Sequence, residues 1–234
     1  MDDPRWSAAR EFLKMAEARH GGRSAFSKIN KITLHLHQMK GMIPFLKGHG
    51  QTFTMPERID VSPNSRTVSF LFSDGTVRFK NGAIVSPTQR FENYRLKFKG
   101  WQRLKRWSNL DAAYFFGYSL VNYFSLPFLL SGLPIRAAKI SSTRRSWIQF
   151  EFPPGTDTHS RLQKFWFDQT GLLIRHDYHA DIIGPMTYGS HFSRDYRFDL
   201  PTPIAETRVV TFRIGSFAIP VVVLKAKFTV EEIE

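Results

Sequence analysis

The chain has 234 residues, 42% of them hydrophobic and 22 of them phenylalanine, enough for one large core or two small ones. Its net charge of +13 produces a positive field that favours anionic partners, though a solvated basic surface accounts for the same balance. With no cysteine, disulfides, thiolate metal sites, a thiol nucleophile and a lipid-anchoring cysteine are excluded.

The opening, "MDDPRWSAAREFLKMAEARHGG", carries two acids where a signal peptide has a basic n-region, and no continuous apolar h-region follows. The expectation is a protein that is not exported by that route, cytoplasmic by default or peripheral to a membrane. From Trp6 to Arg19 the apolar residues Trp6, Ala9, Phe12, Leu13 and Ala16 recur at three- and four-residue steps, which predicts an amphipathic helix. Gly21-Gly22 stops it, and His20 falls in its last turn, where a cation suits the helix dipole.

Period two then takes over. "KITLHLHQM" alternates Ile32, Leu34 and Leu36 against Thr33, His35 and His37, and "TVSFLFSDGTVRF" is two runs joined by a Ser-Asp-Gly turn, a hairpin signal. Prolines 44, 56, 63 and 87 punctuate this half. In the second half "SWIQFEF", "RLQKFWF", "LLIRHDYHADI", "YGSHFSRDYRF", "TRVVTFRI" and "AIPVVVLKAKFTVEEI" read as further strands, for about ten in all, mostly in consecutive hairpins. Consecutive hairpins imply an antiparallel sheet, and a sheet this wide curls to bury one face. The fold class expected is α+β, with residues 1–234 as a single domain.

Between the halves lies "DAAYFFGYSLVNYFSLPFLLSGLPI", residues 111–135, with one formal charge. Pro127 lacks an amide hydrogen and biases its predecessor away from helical geometry, so a helix ends near Leu126. That leaves about 16 residues, roughly 24 Å, against the roughly 30 Å of a hydrocarbon core. Asp111, Tyr114, Tyr118, Asn122 and Ser125 fall at three- and four-residue steps and form one polar seam on an otherwise apolar helix. Such a helix is a core element, the lining of a ligand cavity, or a membrane-inserted element. As a cavity lining, its candidate ligand-binding residues are Tyr114, Phe115, Tyr118, Asn122, Phe124 and, beyond the helix, Phe128, with the polar seam orienting the ligand's polar end.

Just upstream, "RLKFKGWQRLKRW" interleaves Lys97, Lys99, Arg103, Lys105 and Arg106 with Trp101 and Trp107. Basic side chains attract anionic headgroups and tryptophan favours the interface, so these residues are candidates for touching a membrane surface. The same mixture suits single-stranded nucleic acid, but no zinc-finger spacing, RNP-like run or GxxG clamp accompanies it. A solvated basic edge is the plain alternative.

Signals for chemistry are sparse. "GYSLV" places Ser119 near a nucleophile elbow, but the fifth residue is Val121 and the segment reads as mid-helix. In "RHDYHAD", alternation puts Asp177, His179 and Asp181 on one strand face and His176 with Tyr178 on the other. His176, Asp177 and His179 are the weak candidates for acid–base work; His159, Asp157 and His191 lie on neighbouring segments, and ordinary cross-strand pairing explains the group as well. No metal site, cofactor, phosphate loop or dinucleotide fingerprint is indicated.

Two stretches carry a resemblance. "FLKMAEARHGGRSAFSKINKITLHLH" and the hairpin "FWFDQTGLLIRHDY" resemble bacterial lipoprotein-localisation-factor-like (LolA/LolB-like) carriers, and the "YFSLPFLL" segment extends the likeness to other bacterial proteins of this kind. The resemblance implies an incomplete antiparallel β-barrel whose concave face is closed by helices, holding an acyl chain or another apolar ligand, with no catalytic residues to carry over. The sequence departs from the resemblance in showing no signal-peptide pattern and no cysteine, and in its apolar insert. Enzymes of small-molecule pathways with this fold supply the alternative, using His and Asp in the same cavity. The partners expected are an apolar small molecule or lipid and an anionic membrane surface; nucleic acid is not indicated.

Overall fold

Ala9, Phe12, Leu13 and Ala16 are buried on one face of α1 (Ser7–Arg19), as the periodicity predicts, while Trp6 belongs to a preceding single turn of 3-10 helix. The computed structural model describes residues 4–234, so the acidic Asp2-Asp3 start lies outside it. Gly21 ends α1 with φ +91°, and a Cβ there would stand 2.3 Å from the Pro201 carbonyl oxygen, so only glycine fits. A second short helix, α2 (Gly22–Ser27), follows at once, where the sequence signals only a stop.

Thirteen strands form one antiparallel sheet among the described residues: β1 (Ile32–Lys40), β2 (Arg58–Ser62), β3 (Thr67–Phe72), β4 (Gly75–Lys80), β5 (Ala83–Val85), β6 (Arg90–Phe91), β7 (Ile135–Lys139), β8 (Ser146–Glu151), β9 (Leu162–Phe167), β10 (Leu173–His179), β11 (Tyr188–Arg197), β12 (Ile204–Ile214) and β13 (Phe217–Ile233). Their spatial order is β6-β5-β4-β3-β2-β1-β13-β12-β11-β10-β9-β8-β7. Every contact is between chain neighbours except that of β1 with β13, which joins the two halves. β6 and β7 end the sheet without pairing to each other, so the sheet is curved but not closed.

Four of these strands exceed expectation. β5 and β6 hold three and two residues, too few for alternation to register, and β2 and β7 hold five each beside prolines. The alternation of β1 is real only as far as Leu36. His37 is an extra residue between the pairs Leu36–Phe228 and Gln38–Lys227, a bulge that reverses the facing, so that Met39 turns inward.

The long helix, α4 (Asn109–Ser125), begins in a capping box: Ser108 Oγ accepts from the Asp111 amide at 3.3 Å, and the Asp111 carboxylate accepts from the Ser108 amide at 2.9 Å. It stops where Leu126 turns extended before Pro127. α4 lies in the hollow of the sheet across β2–β5. Gly117 permits this, because a Cβ there would stand 2.4 Å from Cβ of Phe79 on β4. The main apolar core fills the space between them, with Phe70, Phe79, Tyr94, Trp107, Tyr114 and Tyr118 among its members.

A second core joins α1 to the inner face of β8 and β9 through Phe12, Phe150, Phe165 and Phe167. Segment 126–135 packs here as well. Arg10 donates to the carbonyls of Ser131 and Leu133 at 2.8 and 3.0 Å, and Arg23, paired with Glu17, donates to the Phe128 carbonyl at 2.9 Å. No helix among the described residues is long and apolar enough to cross a membrane.

Candidate functional site

The polar seam of α4 meets the protein's own chain. Tyr114 donates to Asp157 Oδ1 at 2.6 Å, Asn122 donates to the Asp157 carbonyl at 3.0 Å, and the Tyr118 hydroxyl lies 3.1 Å from His159 Nδ1. All three partners belong to the loop 153–161, which tucks under the helix. At the first turn Tyr94 donates to Asp111 at 2.9 Å, and at the last Ser125 bonds the Val121 carbonyl. Arg95 holds the loop, donating to the Thr158 carbonyl at 3.0 Å and to both Asp181 oxygens at 2.6 and 2.8 Å. His159 stacks on Tyr178 with centroids 3.9 Å apart.

The opposite side of α4 faces empty space. A cavity of about 170 Å³ lies between this helix, the inner faces of β1–β3 and β11–β13, and a short helix, α3 (Met42–Lys47), over its mouth. Its wall is mainly apolar: Leu34, Phe70, Phe115, Phe116, Val210 and Leu224 give its character. Of the residues anticipated as ligand-binding, Phe115 lines it. Tyr114, Tyr118 and Asn122 do not, because their polar ends are turned to the loop. Phe124 and Phe128 instead line a small neighbouring void of about 20 Å³.

One region of the cavity wall is polar. Tyr123, Ser119, His191 and Arg208 all contribute. The Tyr123 hydroxyl is 2.6 Å from His159 Nε2, its ring meets His191 edge-on with centroids 4.4 Å apart, and the Arg208 guanidinium carbon lies 5.4 Å from its centroid. A neutral imidazole carries one N–H, so His159 donates to one of its two tyrosines and accepts from the other. Burial pulls His159 down to about 3 and pushes Tyr123 up to about 12, so both are neutral near pH 7. Burial, with Arg208 next in weight, holds His191 well below the ordinary histidine range. Among the described residues neither ring nitrogen of His191 has a hydrogen-bond partner, and neither has Arg208 Nε.

The anticipated acid–base group lies elsewhere. Asp177 is on the convex face of the sheet, where it accepts from Arg175 Nε, Trp166 Nε1 and Ser190 Oγ at 2.6, 2.8 and 2.8 Å. His179 bonds the Gly184 carbonyl and packs on Tyr188. His176 is buried inside, stacked on Phe165, with Nε2 at 2.5 Å from Gln163 Oε1. None of the three lines the cavity. Ser119 does, but its hydroxyl donates to the Phe115 carbonyl at 2.6 Å, which leaves it no base. No three His, Asp or Glu side chains converge as metal ligands among the described residues.

The basic-aromatic segment forms two 3-10 turns, Tyr94–Phe98 and Gly100–Leu104. One anticipated surface residue is corrected: Trp107 is buried, because Phe53, Phe98 and Phe115 surround its ring. Trp101 is 84% exposed, and Lys99, Lys105 and Arg106 are exposed around it. Lys97 covers the rings of Phe91 and Tyr94, and Arg103 donates to the Phe98 carbonyl at 2.8 Å.

Arg208 escapes the sequence reading altogether. Its only signal is a cation on the same strand face as Val210 and Phe212, and β12 does not declare which face is inward because Thr207, Val209 and Thr211 alternate just as well.

No family model matches the chain, and no curated protein does. Among solved structures it is similar to a LolA superfamily protein of Nitrosomonas europaea, at 8% identity and a TM-score of 0.48 over 94% of this chain and 91% of that one. It is also similar to a DUF1329 family protein of Desulfovibrio piger, at 10% identity and a TM-score of 0.41 over 94% and 90%. At these identities and TM-scores neither likeness carries any chemistry over to this chain.

Proposed function

We propose that the protein binds a lipid-like or other apolar ligand in the cavity between α4, α3 and the sheet, and holds or carries it. The observation that supports this is the cavity itself. At about 170 Å³ it exceeds the apolar void of about 150 Å³ that takes up benzene, yet it is smaller than a drug-sized site. It therefore suits a small apolar molecule, or one end of a longer one that emerges beneath α3. Affinity would come from buried apolar area at roughly 25 cal/mol per Å². Mass spectrometry of an organic extract of the purified protein tests the reading, together with thermal shifts on adding fatty acids or phospholipids. An apolar molecule in the extract and a raised melting temperature are expected; a clean extract and no shift would contradict it.

A second reading, docking on an anionic membrane, has an observation of its own. Phe45, Leu46, Trp101 and Leu104 are 75, 57, 84 and 67% exposed. Their two segments touch: Lys47 Nζ bonds the Arg103 carbonyl, and the Trp107 amide donates to the Lys47 carbonyl at 2.8 Å. Leu46 is also part of the cavity wall, so a membrane met by this surface would meet the cavity mouth. Liposome pelleting at low and high salt is the test.

A further inference from the structure

We infer that Arg208 is the anchor for a carboxylate, and that the ligand class of this cavity is an apolar molecule bearing one carboxylate group. The inference rests on the proposed function and names the polar end of the ligand.

Arg208 is 8% exposed, in the middle of β12. A buried guanidinium costs several kcal/mol in lost hydration unless it is paired. Two less exposed arginines elsewhere are paired in this way: Arg175 holds Asp177 and Arg95 holds Asp181. Arg208 has no acidic partner among the described residues. Among the described residues its one hydrogen bond runs from Nη1 to Ser193 Oγ at 2.6 Å. Its other neighbours are Tyr123, Tyr196, His191 and His20, none of them anionic at neutral pH.

The free part of the group is the part that matters. Among the described residues Nε is buried without a partner, and Nη2, on the same edge of the guanidinium, has no hydrogen bond. Those two N–H groups are the side-on fork that donates to both oxygens of a carboxylate. His191, also in the cavity wall, has two unpartnered ring nitrogens and is held neutral by burial, so it has one N–H to offer the same anion. One cation beside neutral groups balances a monoanion. A phosphate dianion would leave an uncompensated negative charge in the same low-dielectric space.

Calorimetric titration of the delipidated protein with dodecanoate and with dodecanol, two ligands of equal chain length, tests this. The wild type is expected to bind dodecanoate roughly ten- to a hundredfold more tightly, the range of a hydrogen-bonded charge. Arg208→Gln is expected to remove that preference while still binding dodecanol. Circular dichroism checks that the variant is folded; if it is not, the wild-type ratio and His191→Phe, expected to narrow the ratio, decide. Equal binding of acid and alcohol by the wild type overturns the inference but leaves apolar binding standing. Binding of neither overturns the proposed function, and the inference with it.

Discussion

Tyr114 donates its hydroxyl hydrogen to Asp157 Oδ1 at 2.6 Å, and this bond faces the polar seam of the central helix toward the protein's own loop. A seam of hydroxyls and an amide on an apolar helix needs partners wherever it is buried. Here the loop 153–161 supplies them, and the other side of the helix is left to line the cavity. The seam is therefore a fastening, and the cavity is formed by the residues that the seam does not include.

Tyr114→Phe deletes the donor and leaves a half-buried carboxylate without its short bond. The expected cost is about 1–3 kcal/mol of stability, read from the urea midpoint at constant slope. Ligand affinity should stay within experimental error. A loss of affinity with unchanged stability would instead place Tyr114 in ligand binding.

Gly117→Ala pushes a methyl group into Cβ of Phe79, 2.4 Å away. Although alanine is the better helix former, α4 must shift off β4, at a cost of about 1–3 kcal/mol. The measurement is again chemical denaturation, and an unchanged or raised midpoint would mean that the contact between α4 and β4 gives way freely.

Acid should weaken the fold from pH 6.5 downward, well before carboxylates protonate. Burial lowers His20 to about 4 and His159 to about 3, and holds His176 and His191 well below the ordinary value. Below pH 6.5 the unfolded chain takes up protons at these residues and the folded chain does not. Stability is therefore complete above pH 6.5 and falls as the pH drops toward 4 and 3, by about 1.4 kcal/mol per pH unit for each such histidine. Urea midpoints that stay level between pH 7 and pH 5 would contradict this.

Membrane docking predicts that the protein pellets with vesicles containing phosphatidylglycerol, less so as salt rises, since the Debye length shrinks from about 10 Å at 0.1 M to about 3 Å at 1 M. Trp101→Ala should reduce the pelleted fraction, because the ring is exposed and its loss leaves the core intact. Trp107→Ala serves as the contrast: it should unfold the site rather than weaken docking alone.

Much of the architecture is legible in the sequence, and the reasons differ by element. Pro127 and the run of hydrophobes before it mark the end of α4 to within a residue, because a missing amide and a steric clash act locally. The Ser-Asp-Gly turn marks the β3–β4 hairpin for the same reason. β5 and β6, at three and two residues, are set by pairing with their chain neighbours and are too short to leave a period to read. Helical spacing assembles the seam of Tyr114, Tyr118 and Asn122 correctly, but its partner sits some forty residues away in sequence, so its direction is a tertiary fact. Trp107 reads as a surface residue beside its basic neighbours, and only the packing of Phe53 and Phe98 buries it. Arg208 and His191 are ordinary residues in alternating strands until the sheet curls them into one wall.

The central claim is that the cavity is a binding site, and filling it is the most direct test. Ala112, in the wall of the cavity, is 4% exposed, and Ala112→Phe places a ring in the empty space. Titration of the delipidated wild type and this variant with a fluorescent apolar probe, on samples shown by circular dichroism to be folded, gives the answer. Saturable binding by the wild type and its loss in Ala112→Phe is the predicted result; equal binding by both proteins would contradict the account.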